Sequence, residues 1–148
     1  MMLSNTCKYA IRAVVYLSLN VNGTEKIGIK QIAADLKIPT PFLGKILQVL
    51  AKNKILLSTK GPHGGFSFSP NSAEITLYDI IKLFDGEDFF HECLIGLEFC
   101  KCDMQKEKEC PFHMKSGHIR DGLYDVLSNQ KISELAKDLK QIGNDVVF

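Results

Sequence analysis

The chain has 148 residues, 45% of them hydrophobic and 24% charged, enough for one core of ordinary size with an appendage. No stretch approaches the roughly 18 apolar residues a membrane helix needs, and the short apolar run at residues 13–17 lacks a small-x-small cleavage site, so a membrane span and a signal peptide are excluded and a cytoplasmic location is expected. The net charge of +1 hides an asymmetry: residues 1–70 hold nine Lys or Arg against Glu25 and Asp35, a net of +7, and the remainder holds nine against fifteen acids, a net of −6.

A basic half joined to an acidic one points to a polyanion-binding module, because Lys and Arg neutralise phosphates and release their counterions. In chain order, Tyr9, Ala10, Ala13, Val14 and Leu17 recur every three or four positions, predicting an amphipathic helix over residues 5–19 with Ser4 or Asn5 as its cap. Ile29, Ile32, Ala33 and Leu36 predict a second helix that stops before Pro39. Thr40 and Pro41 read as the cap and first-turn proline of a third, with Phe42, Leu43, Ile46, Leu47 and Leu50 on its buried face. Two short helices joined by a tight turn form a helix-turn-helix candidate.

The following segment sharpens that candidate. Ile55-Leu56-Leu57 and Phe66-Ser67-Phe68-Ser69 read as strands, and residues 60–65 between them (KGPHGG) are turn chemistry, giving a hairpin with a basic, glycine-rich tip. A helix-turn-helix followed by such a hairpin is a winged helix. Thr76 then caps a short helix bearing Leu77, Ile80, Ile81 and Phe84. From Asp85 to Cys110 periodicity disappears for 26 residues, beyond the length of an ordinary structureless loop, and this loop holds Cys93, Cys100, Cys102 and Cys110. Cysteines in a cytoplasmic protein are read as metal ligands or redox thiols before disulfides. Pro111 reopens helix with Phe112, Ile119, Leu123, Val126 and Leu127 as an apolar stripe, and Ser133 is expected to cap a last helix through Leu135, Leu139 and Ile142. The fold class is therefore mainly α with a small β-hairpin wing: residues 1–84 a DNA-binding winged helix-turn-helix, 85–110 a cysteine-rich loop, 111–148 the C-terminal helices. No C-x-x-C, nucleophile elbow or phosphate loop is present, which argues against an enzyme.

With these residues in view, the chain resembles the Rrf2 family of winged-helix transcription regulators, in its cysteine-containing, cluster-binding form. The resemblance runs over nearly the whole length. It is carried by Tyr9-Ala10 and Arg12-Ala13, Ile32-Ala33, Ile38-Pro39 with Leu43, Ile46 and Leu50, the wing from Lys60 to Phe66, and Cys93 through Cys100 with Cys110-Pro111-Phe112-His113. It implies a homodimer that reads a roughly twofold double-stranded DNA operator, with the long helix after the cysteines as the dimer contact. It further implies a [2Fe-2S] cluster on Cys93, Cys100, Cys110 and His113. An insertion around Lys106-Glu107-Lys108-Glu109 makes Cys102 the alternative to Cys100. Position 8 is lysine where some relatives place a ligating acid, so His113 takes the fourth position; imidazole is an accepted substitute for thiolate there.

The same donors can also be read as a tetrahedral Cys3His zinc site on Cys100, Cys102, Cys110 and His113, or as a metal-free thiol switch. Cys7 reads as a small buried residue, and His91 and His118 as solvent-exposed. For DNA, Lys45, Gln48 and Lys52 fall at i, i+3 and i+7 on the solvent face of the third helix, with Thr40 and Pro41 at the end that enters the major groove. Lys30 joins them from the second helix. In the wing, Lys60, Gly61, His63, Gly64 and Gly65 suit phosphates, and Gly44 stands where some relatives carry a base-reading acid.

Overall fold

The computed structural model describes residues 3–20, 25–91, 93, 95 and 110–142. Helix α1 spans Asn5–Asn20, α2 Ile29–Leu36 and α3 Thr40–Lys52; strands β1 (Leu56–Thr59) and β2 (Gly65–Phe68) follow, then α4 (Leu77–Asp85), α5 (Pro111–Lys115), α6 (Gly117–Asn129) and α7 (Ile132–Ile142). Short 3-10 turns occupy Pro70–Ser72 and Glu87–Phe90. The mainly helical fold with one hairpin is thus as expected. The winged helix is built on a core in which Ala10, Ala13, Val14 and Leu17 of α1 meet Ile32, Ala33 and Leu36 of α2 and Leu43, Ile46, Leu47 and Leu50 of α3. Each large side chain fully buried there contributes about 1.5–3 kcal/mol.

The helix ends follow from local chemistry. Ser4 caps α1, its Oγ accepting from the Cys7 amide at 3.0 Å. A left-handed Lys37 (φ 54°) closes α2, with the Ile38 amide on the Ala33 carbonyl at 3.0 Å. Thr40 is not the cap of α3: the amides of Phe42 and Leu43 donate to the Pro39 carbonyl at 3.1 and 3.0 Å, so Pro39 caps and Thr40 is the first helical residue. Nor does Ser133 cap α7. That helix begins one residue earlier, where the Ile132 amide pairs with the Ile75 carbonyl (2.9 Å), and the Ser133 hydroxyl donates to Ala73 O. Thr76 does cap α4, within a capping box closed by Asp79.

The strands pair antiparallel in the register Leu56 with Phe68 and Thr59 with Gly65. Ile55 lies outside β1 because its amide closes the end of α3 on the Leu50 carbonyl at 3.0 Å. Ile27 forms a bridge with Phe66, exchanging two hydrogen bonds of 2.9 Å, and ties the wing to the segment before α2. Residues of α7 return to α1: Ile132 and Ala136 belong to the same core as the winged helix. No helix among the described residues is long and apolar enough to cross a membrane.

Candidate nucleic-acid interface and cysteine site

Helix α3 divides into two faces. Leu43, Ile46, Leu47 and Leu50 are buried, and Pro41, Lys45, Gln48 and Lys52 are exposed, with Thr40 half-buried at the start. No acid lies in the helix, so its positive N-terminal end and its lysines present one sign of charge to a phosphate backbone. Lys30 of α2 is exposed as well. Phe42 does not belong to the buried face. It is 38% exposed, and Val49 37%; the Phe42 ring rests edge-on against Tyr9 with centroids 5.7 Å apart. Periodicity alone misplaced it because residue 42 falls at the border of the apolar arc, where neighbouring elements decide exposure.

At the wing, Lys60, Gly61, Pro62 and His63 are exposed, and Gly61 takes φ 110°, a left-handed conformation that favours glycine. Gly64 and Gly65 answer a different need. A Cβ on Gly64 would stand 2.2 Å from the Thr59 carbonyl oxygen, and one on Gly65 2.6 Å from that of Ile27. The Gly64 amide already donates to Gly61 O at 2.9 Å, and Gly65 is buried. Close backbone packing, within the hairpin for Gly64 and against the Ile27 segment for Gly65, therefore accounts for both glycines, and the exposed part of the tip is residues 60–63. The Ile27 bridge that anchors the hairpin was missed in the sequence because a single paired residue carries no period.

The described part of the cysteine region frames α5 and α6. Cys110 is buried and precedes Pro111 as the N-cap residue of α5; His113, half-buried, lies three residues further on the same short helix. Its carbonyl accepts from the Ser116 hydroxyl (3.1 Å) and the Arg120 guanidinium (2.9 Å), and Arg120 also donates to Ser116 Oγ at 2.8 Å. These bonds fasten α5 to the first turn of α6 across the break at Ser116. Cys93 is half-buried after the 3-10 turn at Glu87–Phe90; Cys100 and Cys102 lie outside the described residues. Among the described residues no group of three or more His, Cys, Asp or Glu is gathered so as to hold a metal ion. In type the donors, thiolates with one imidazole, suit the four terminal positions of a [2Fe-2S] cluster.

Around this site, Phe90, Tyr78 of α4 and Tyr124 of α6 form a ring cluster. Tyr124 lies 5.0 Å from Tyr78 and 5.5 Å from Phe90 between centroids. Cys7, fully buried with Ile81 and Phe90, is the small core residue expected. Burial first, then the charge of Asp85 and a hydrogen bond to it, push its thiol up to about 12. Asp85 also accepts from the Ser4 amide at 2.9 Å and from the Ser4 hydroxyl, tying the end of α4 to the start of α1. His91 and His118 are exposed, as expected.

A helix-turn-helix with a basic wing and an acid-free third helix defines a winged-helix DNA-binding regulator, and comparison with known proteins gives the family. The model of the Rrf2 family, described as "Iron-dependent Transcriptional regulator", matches residues 3–138. The chain belongs to the Rrf2 family of transcription regulators. A chain of Aquifex aeolicus (strain VF5), assigned as an HTH-type transcriptional regulator, is 35% identical over 135 residues, 91% of each chain. Among solved structures, CymR (YrzC), the global cysteine regulator of B. subtilis, superposes with a TM-score of 0.74 at 21% identity, covering 93% of this chain and 98% of that one. IscR of T. potens gives 0.73 at 19% identity, with 96% and 90% covered. At these identities the two structures speak for the fold.

Proposed function

We propose that this regulator binds its DNA operator as a homodimer and that its affinity is set by a [2Fe-2S] cluster on Cys93, Cys110 and His113 with one of Cys100 or Cys102. The observation that carries the reading is where the described donors sit relative to α6. Cys110 caps α5 and His113 lies on it, Arg120 and Ser116 fasten that helix to α6, and Cys93 follows Phe90, whose ring packs on Tyr124 of α6. A ligand set drawn together from both sides would move or fix α6. The family's description as iron-dependent supports iron as the controlling element.

None of the residues of α6 is buried, and Ile119 and Val126 are 62% and 63% exposed with Leu123 between them on one stripe. That stripe fits a second copy of the helix. Two recognition helices must meet half-sites about 34–36 Å apart, so a small rotation at the dimer contact changes affinity strongly. When bound, the cluster would supply a centre sensitive to redox state, nitric oxide and iron supply. On the DNA side, Lys30, Thr40, Pro41, Lys45, Gln48 and Lys52 face the major groove, and Lys60, Gly61 and His63 of the wing meet phosphates, with Gly64 and Gly65 shaping the tip.

Anaerobic expression with a visible spectrum and iron, sulfide and zinc analysis tests the reading. The expected result is a brown protein with about two irons per chain that lose chromophore in Cys93→Ala and Cys110→Ala. His113→Ala is expected to leave a labile chromophore with an altered spectrum. Affinity for a duplex selected from a random pool is expected to differ at least tenfold between loaded and cluster-free protein. Stoichiometric zinc without iron would replace the cluster by a structural zinc site. Metal-free protein whose affinity follows thiol oxidation would make the cysteines a redox switch.

A further inference from the structure

The exposed surface of α3 is not purely polar. Phe42, Lys45, Val49 and Lys52 fall at i, i+3, i+7 and i+10, so that each neighbours the next on one stripe. All four are exposed. Phe42 is 38% exposed in the first turn of a helix whose own core face is filled by four buried aliphatic residues, so part of its ring is open at the surface. The ring is nonetheless held in place from behind. Tyr9 meets it edge-on at 5.7 Å and 85°, the Arg12 guanidinium lies 5.7 Å over the Tyr9 ring, and Arg12 Nη2 donates to the Leu36 carbonyl at 2.9 Å.

The surroundings say what such a ring can meet. Lys45 stands one turn along, the helix carries no acid, and the chain's first 70 residues carry a net charge of +7, which suits a polyanion and disfavours a basic or apolar partner. Gly44, also in the N-terminal half of the helix but on its other flank, leaves that flank bare: a Cβ there would touch only Ile29 Cδ1, at 3.4 Å. A groove wall can therefore approach the helix closely at its N-terminal end, the end whose residues reach base edges. Of the groups in the major groove, only one is apolar, the 5-methyl of thymine.

We propose that Phe42 is a specificity-determining residue that reads thymine through its 5-methyl group, and that the operator half-site holds a thymine facing the first turn of α3. This rests on the DNA-binding reading and adds the base it selects. Lys45 beside it holds a phosphate or a guanine edge, so the stripe joins electrostatic positioning to apolar readout.

The test replaces each thymine of a duplex selected from a random pool by deoxyuridine, which lacks only the methyl, and measures binding of the full chain. At one thymine per half-site the replacement is expected to weaken binding about fourfold, the effect of burying one methyl-sized group. Phe42→Ala is expected to bind both duplexes equally, and Phe42→Leu to keep part of the difference. The DNA-side change leaves the protein untouched, so a folding defect in the variant cannot mimic the result. If uracil costs nothing at any thymine of a tightly bound duplex, or its cost persists in Phe42→Ala, Phe42 reads no methyl and its ring serves a protein contact or the Tyr9 packing alone. If no duplex is selected at all, the DNA reading falls together with the proposal.

Discussion

Lys45 is exposed on α3 with no acid in the helix to engage it. Lys45→Ala should lower DNA affinity and reduce the slope of log affinity against log salt by about one unit, the signature of one phosphate contact; equal slopes for variant and parent would remove Lys45 from the interface. Cys7 makes the opposite kind of prediction. Its thiol is pushed from 9.0 up to about 12 by burial, with Asp85 adding to the effect. A pKa raised on folding means the folded state keeps the proton that the unfolded state gives up. The resulting stability is complete below about pH 9 and is lost as pH rises towards 12. The urea midpoint should therefore begin to fall above pH 9. Native protein treated with iodoacetamide at pH 8 should leave Cys7 unmodified; early mass-spectrometric labelling of its peptide would show that the site opens. Lysine at 45 and cysteine at 7 were both legible from sequence, one as solvent face and one as core, because each sits well inside its arc of the helix.

At the scale of elements, α4 is held by a capping box in which the Asp79 amide donates to Thr76 Oγ1 at 3.3 Å and the Thr76 amide and hydroxyl donate to Asp79 at 2.9 Å each. Thr76→Ala should cost about 1 kcal/mol in a denaturant titration. Because Thr76 also bridges Lys131 at the start of α7, a loss well beyond 2 kcal/mol would mean that the bridge fails with the cap. The helices were readable because their apolar residues repeat at 3.6 positions and their ends carry Ser4, Pro39 and Thr76. The caps of α3 and α7 were misassigned, by one residue and by two, for a common reason. In both, the first helical hydrogen bonds or pairings are set by a carbonyl or amide partner, Pro39 O or Ile75 O, that no side-chain pattern marks.

For the whole molecule, α6 offers Ile119, Leu123 and Val126 on one exposed stripe. Ile119→Arg should yield a monomer in sedimentation velocity with unchanged helical circular dichroism, and should bind a twofold operator at least tenfold more weakly. A variant that remains dimeric would place the contact elsewhere. The same helix turns Tyr124 towards Tyr78 and Phe90, so one element faces both the expected partner and the start of the cysteine region.

Sequence by itself determined the helices, the wing, the basic character of the first half and the donor types in the cysteine region, since all of these rest on local period, composition and turn chemistry. Tertiary structure decided what depends on which surfaces meet. It joined α7 to the core of α1 through Ile132 and Ala136 and pinned the wing by Ile27. It also brought Phe42 to the surface against Tyr9, left the α6 stripe exposed, and set Gly64 and Gly65 where a Cβ would strike a carbonyl. The physical reason is common to all of them: each depends on whether residues distant along the chain come into contact or not, and such contacts leave no period along the chain.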